Sequence, residues 1–202
     1  MAGWRRFSRH PGTRCCLSPQ NIAAVDLATV AGTHRCLGLL GGMEWNGPAY
    51  NPKSNTLFVA AVDWYGTFTQ LDKPPEYATG SHYYGGAVTG DPRSESREWL
   101  TAVDAASGAV KWKRPWPTPL VAGVVATSGG LLSTGDLNNN FLALDAATGK
   151  VLYSFNTGGS IGCGVVSFQQ RGHRHVAATS GLVSGFFGRS GLPTEVVFGL
   201  AP

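Results

Sequence analysis

From Pro48 onward the chain reads as short apolar runs of strand length, each closed by a turn signal. The runs are PAYNPKSNTLFVAAVDW, WLTAVDAASGAVKWK, VAGVVATSGGLLSTGDLNNNFLALD, KVLYSF, GCGVVSFQQRGHRHVAAT and TEVVFGL. The breaks carry N-P, S-G, G-G, G-D, T-G or R-G, dipeptides that favour reversals of the chain. Alternating and continuous apolar runs of this length predict strands, and the fold class is all-β. Residues 66–98 form the longest break; with Pro74, Pro75, Gly80, Gly85, Gly86, Gly90 and Pro92 they are expected to be a long loop rather than a linker between domains. Residues 1–20 show no period and are expected to be an irregular lead-in.

Two of the runs repeat each other. LTAVDAASGAVKWKR begins at Leu100 and FLALDAATGKVLYSF at Phe141, so that A-x-D-A-A-[ST]-G-x-V recurs after 41 residues. A period near forty residues suits a four-stranded unit. Within one copy the predicted order is a strand (Leu100 to Val103), a turn (Asp104 to Gly108) and a strand (Val110 to Lys113). Asp104 can accept hydrogen bonds from the turn amides, and Gly108 can take the positive φ that closes the turn. Trp112 follows four residues later, with Tyr153 at the matching place in the second copy. A large flat ring at a fixed place in each unit is what a stack of sheets needs to fill the wedge between neighbours. NIAAVDLATVAG from Asn21 reads as a degraded third copy: Ala24 and Asp26 align on Ala102 and Asp104, while Val30 stands where the others have glycine.

Composition narrows the function classes. The chain has 202 residues, enough for one core, with 43% hydrophobic and 14% charged residues, 28 glycines and 12 prolines, as expected of many short strands and tight turns. The net charge of +4 is drawn in part from Arg5, Arg6, Arg9 and Arg14, read as a solvated tail rather than a nucleic-acid surface. The first residues lack the apolar run of a secretory signal, and no window approaches the length of a membrane span. Cys15, Cys16, Cys36 and Cys163 include no C-x-x-C pair and none lies near a histidine at finger spacing, so a zinc site is not expected. Cys15 and Cys16 are read as neighbouring free thiols, with a strained vicinal disulfide as the alternative.

The repeat A-x-D-x-x-[ST]-G-x-x-x-W resembles the tryptophan-docking motif of the eight-bladed β-propeller quinoprotein alcohol dehydrogenases, enzymes that use pyrroloquinoline quinone (PQQ) and usually calcium. Cys36 to Pro52, CLGLLGGMEWNGPAYNP, is similar to that family's C-P-G-x-x-G-G-x-x-W-N-G-P-A-Y-x-P signature. VAGVVATSGGL from Val121 and S-G-x-x-x-G-F-F-G from Ser180 fall in the family's order. The resemblance implies residues 32–202 as a partial propeller of three to four C-terminal blades, preceded by the lead-in at 1–31. It implies a periplasmic protein whose intact relatives oxidise an alcohol and pass electrons to an acceptor. The missing propeller half is a possible partner.

The same resemblance implies PQQ contact at Trp45, its neighbour Glu44, and Ala122 and Gly123 at the start of the VAGVVAT strand. The family often has asparagine where Glu44 stands, and an acid facing a cofactor carboxylate would repel it. For Trp45 the bland alternative is a packing role between blades. The family's catalytic aspartate and calcium ligands have no matching stretch here, so the catalytic residues are unassigned, no metal site is expected and activity of the chain alone is not expected. Asp63 matches a structural family strand, V-D-W-C-x-x-F. Phe186 and Phe187 stand where relatives present a tryptophan near the cofactor, but they are read as core or rim packing. His173 and His175 share one face of a strand but lack a third ligand, and are read as surface residues. The rival reading of the chain is a non-catalytic propeller scaffold that binds a protein partner.

Overall fold

The computed structural model describes residues 32–73, 76–81, 83 and 86–199; the arginine cluster, Cys15, Cys16 and the degraded repeat at Asn21 lie outside them. Among the described residues the structure is all-β: fifteen strands and a single 3-10 turn, Arg93–Glu95. The described residues divide into two compact units, one of those within 32–41 and 63–96, the other of 42–62 and 97–199.

In the larger unit, β2 (Ala49–Asn51) pairs with the first half of β3 (Thr56–Thr69), and β5 (Arg97–Asp104) pairs with β6 (Val110–Trp116) in the same sheet. A second sheet has the order β10-β9-β8-β7, made from β7 (Val125–Ala126), β8 (Leu131–Gly135), β9 (Asn140–Asp145) and β10 (Val151–Asn156). A third is β11-β12-β15, made from β11 (Val165–Gln170), β12 (His173–Ser180) and β15 (Thr194–Gly199). A small hairpin joins β13 (Val183–Ser184) to β14 (Gly188–Arg189).

The continuous apolar run FLAL is explained by burial on both faces. Leu142 and Leu144 of β9 pack with Leu132 of β8 against Phe58, Ala60, Leu100 and Ala102 of the first sheet. Phe141 and Ala143, pointing the other way, pack against Ile161, Val165, Val176 and Ala178 towards the third. Sheets stacked face to face with two successive cores are the arrangement of propeller blades.

The repeat now has a structural meaning. Asp104 Oδ1 accepts from the amides of Ala106 and Ser107 and from the Ser107 hydroxyl; Asp145 Oδ1 does the same for Thr148. These donors hold the Asp104 carboxyl at a pKa of about 2, first through the Ser107 amide and hydroxyl, and the Thr148 hydroxyl leads in lowering that of Asp145. Gly108 and Gly149 take φ of 74° and 68°. The β5–β6 register shifts between Ala102 and Val103, and the β10–β9 register between Val151 and Tyr153, so each copy carries an irregularity just before its aromatic residue. Such bulges re-aim the side chain that follows.

Trp112 of β6 reaches the next copy. Its indole N–H donates to the Ala146 carbonyl at 3.0 Å, and its ring covers Gly149 so closely that a Cβ there would lie 2.8 Å from it. Arg114 Nε donates to the Thr148 carbonyl beside it. Trp116, four residues beyond Trp112 along β6, donates to Asp136 Oδ2, a buried carboxylate that also accepts from the amides of Asn138 and Asn140. Tyr153 stands edge-on to Phe198 of the third sheet, at 6.4 Å between centroids.

The smaller unit corrects the long-loop reading of residues 66–98. β3 runs on to Thr69, and β4 (Ala87–Gly90) pairs with it from Gly66 to Thr69. The 3-10 turn follows, and β5 begins at Arg97. β1 (Thr33–Gly42) also pairs with β3. Trp64 is buried and donates its indole N–H to the Asp91 carbonyl, and His34 is hydrogen-bonded to Asp91 at 2.8 Å while stacking on Tyr65.

Candidate functional site

Three stretches of the larger unit are tied together by four hydrogen bonds: the loop before β2, the segment 120–124 before β7, and the segment 161–164 before β11. Trp45 Nε1 donates to the Gly162 carbonyl at 3.1 Å. Asn46 Nδ2 donates to the Leu120 carbonyl at 3.4 Å and the Ala122 carbonyl at 3.0 Å. The Gly123 amide donates to the Cys163 carbonyl at 2.9 Å.

Local sequence explains the loop. Gly47 adopts φ of 63°, a turn that returns the chain into Pro48 and β2. At the far end of β2, Asn51 donates to the Thr127 carbonyl at 3.0 Å while its Oδ1 accepts from the amides of Lys53 and Ser54. Two asparagines five residues apart therefore fasten W-N-G-P-A-Y-N along the segment 120–127.

Of the four residues the resemblance implied, Trp45 lies on the loop and Ala122 and Gly123 on the segment tied to it, while the tie itself is made by Asn46, which the resemblance did not name. Trp45 has its only polar atom satisfied and yet is 59% exposed, so its ring is an apolar plate open to solvent. Ala122 is fully buried in the second core and its carbonyl is held by Asn46, which leaves its side chain no surface. A Cβ on Gly123 would lie 3.2 Å from the Val165 amide nitrogen, so the absence of a side chain lets two backbones approach. Glu44 is partly buried beside Trp45 and has interactions of its own.

Gly162 and Cys163 were missed by the sequence reading, although a signal existed. A-G-V-V at 122–125 and C-G-V-V at 163–166 stand 41 residues apart, the same period as the aspartate turns. The segments that meet in the Gly123–Cys163 bond occupy equivalent places in successive repeats. The Cys163 thiol is free and the residue exposed.

The remaining candidates lie elsewhere in the fold. His173 is exposed, and His175 stacks on Phe168 at 5.3 Å. Phe186 is exposed and Phe187 partly buried, in a hairpin whose Phe186 and Phe187 amides are capped by Ser184 Oγ. Asp63 lies in β3 with interactions of its own. Among the described residues no three His, Cys, Asp or Glu side chains come together as a metal site.

Stacked sheets linked through equivalent turns, with an open aromatic plate beside the strands that lead into them, define a partial β-propeller. The chain is a relative of the quinoprotein alcohol dehydrogenases. It is 34% identical over 143 residues to a quinoprotein ethanol dehydrogenase of Pseudomonas aeruginosa, covering 70% of this chain and 23% of that protein. It is 30% identical over 153 residues to a lanthanide-dependent methanol dehydrogenase of Methylorubrum extorquens, covering 73% and 25%. The fold matches that of the quinohemoprotein alcohol dehydrogenase from Comamonas testosteroni with a TM-score of 0.64 at 18% identity, over 78% of this chain and 26% of that one. Residues 96–183 match the family described as outer membrane protein assembly factor BamB. The chain spans about a quarter of the length of these dehydrogenases.

Proposed function

We propose that this chain supplies the C-terminal blades of a PQQ-dependent alcohol dehydrogenase of the periplasm, and that Trp45 is one aromatic wall of its quinone site. The observation that carries this is the exposed Trp45 ring, held by its own N–H on the Gly162 carbonyl. PQQ is planar, and an open indole face with no unmet hydrogen bond suits stacking on it. Bound PQQ supplies the electron acceptor for alcohol oxidation. The residues present fit the flat face of the cofactor; Glu44, an acid beside it, does not suit the carboxylates. The described residues hold no cluster of metal-ligating side chains, so calcium is assigned no position and no step of alcohol oxidation is derived.

The chain's part is therefore binding. Trp45 offers a surface, and its indole N–H on the Gly162 carbonyl holds the ring. A quinone held by one wall is enclosed on one side only, and affinity falls with the lost contact. Titrating PQQ into the chain should quench tryptophan fluorescence weakly, and Trp45→Phe should remove that component. With ethanol, PQQ, calcium and an artificial electron acceptor, no dye reduction is expected. Quenching unchanged in Trp45→Phe would remove the site. Robust turnover lost in Asp63→Ala would make the chain a self-sufficient enzyme.

The match of residues 96–183 favours a second reading, a propeller scaffold that binds a protein partner. That reading gains if the wild-type chain shows no quenching by PQQ at all.

A further inference from the structure

We propose that Asn46 is the positioning residue that sets the attitude of the Trp45 ring, a role that rests on the reading of Trp45 as a stacking wall.

Leu120, Val121 and Ala122 are buried, and buried carbonyls need donors. One carboxamide serves the carbonyls of both Leu120 and Ala122, two residues apart on the same segment. Reversing the amide would turn Oδ1 towards two carbonyl oxygens, so the orientation of the group is fixed by its partners. Asn46 Oδ1 is itself buried with no partner, which is costly, and a group kept in such a place has been placed for its amide.

Geometry then links Asn46 to Trp45. The two are adjacent in the chain, and their side chains go to different segments: the carboxamide to 120–122, the indole to Gly162. Those segments are joined to each other by the Gly123–Cys163 hydrogen bond. The loop, the segment before β7 and the segment before β11 make a closed circuit. With Asn46 in place, the backbone that carries Trp45 is fixed relative to the carbonyl that receives its N–H. Without it, an exposed indole hangs on one hydrogen bond at the end of a glycine-containing loop, and two buried carbonyls lose their donor.

The test uses the full chain labelled with nitrogen-15 and with fluorotryptophan, the Trp45 signals being assigned by Trp45→Phe. In the wild type, the Trp45 indole N–H and the Asn46 side-chain amide protons should exchange slowly with water. In Asn46→Ala the Trp45 indole N–H should exchange about tenfold faster, the scale of one lost hydrogen bond. The signals of Trp64, Trp112 and Trp116 should stay in place. An unchanged Trp45 signal in Asn46→Ala would overturn the proposal. Should that variant not fold, the wild type still decides: Asn46 amide protons that exchange as fast as those of a free asparagine would overturn it as well. Adding PQQ separates this idea from the one beneath it. A Trp45 signal that is ordered and Asn46-dependent but indifferent to PQQ upholds the positioning role and removes the quinone site. One that shifts with PQQ equally in the wild type and Asn46→Ala removes the positioning role and keeps the site.

Discussion

At the scale of single residues, the repeat was legible because its chemistry is local. An aspartate three residues before serine or threonine, with glycine next, is a turn whose donors and acceptor lie within one short stretch, and both copies formed as read. Trp112 was also readable, since its partner is the glycine of the next copy. Replacing Trp112 with alanine should cost about 3 kcal/mol, the lower end for a large aromatic because the ring is only partly buried. Denaturant unfolding of Trp112→Ala beside His173→Ala checks this; comparable small losses would count against it. Asp104 gives a pH prediction. Its pKa falls from 3.8 to about 2 on folding, so its ionised form is favoured in the folded chain. That contribution is complete above pH 3.8 and is lost as pH falls through 2. The margin in melting temperature of wild type over Asp104→Asn should shrink across that window. What the residues did not show was the Trp45 circuit, because the groups that hold the ring are backbone carbonyls more than seventy positions away, and a carbonyl has no sequence signature.

Among the elements, strands buried on both faces announced themselves as apolar runs, whereas β4 did not. AVTG is four residues long and largely exposed, and it pairs with β3 from within a stretch dense in proline and glycine. A strand without a buried face has no periodicity to read. The comparison of β6 with β10 is more informative. Both follow a glycine turn and carry the same irregularity, but β6 presents Lys111, Lys113, Arg114 and Pro115, whereas β10 presents VLYSFN with no charge. Charge and proline protect strands from pairing with other chains. Leu152, 58% exposed, stands where β6 has Lys111. Leu152→Lys should slow aggregation measured by light scattering and change folding stability by less than about 0.5 kcal/mol. In β8, Ser133 and Thr134 are fully buried with hydroxyls that have no partner. Thr134→Val keeps the shape and removes an unmet group, so it should leave stability unchanged or raise it by about 1 kcal/mol; a loss of that size would reveal a hidden partner.

For the whole molecule, the 41-residue period predicted repeated sheet units, and the described residues of the larger unit form stacked sheets. The 41-residue period carries the fold because each sheet buries a face only against its neighbour. The β8–β9 pair has packed side chains on both faces, towards Phe58 and Leu100 on one and towards Val165 and Val176 on the other. In a stack held by nearest neighbours, the outer members open first and the shared one last. Amides of Leu132, Leu142 and Leu144 should therefore outlast those of β11 and β15 in native-state deuterium exchange. If β15 frays while β9 stays closed, Phe198 leaves Phe141 and Tyr153 together, and the chain passes through a state with one sheet unstacked and its apolar face wet. Unfolding would then proceed as a zipper run from one side, with the rate of loss governed by the weakest contact between sheets rather than by the strength of any sheet.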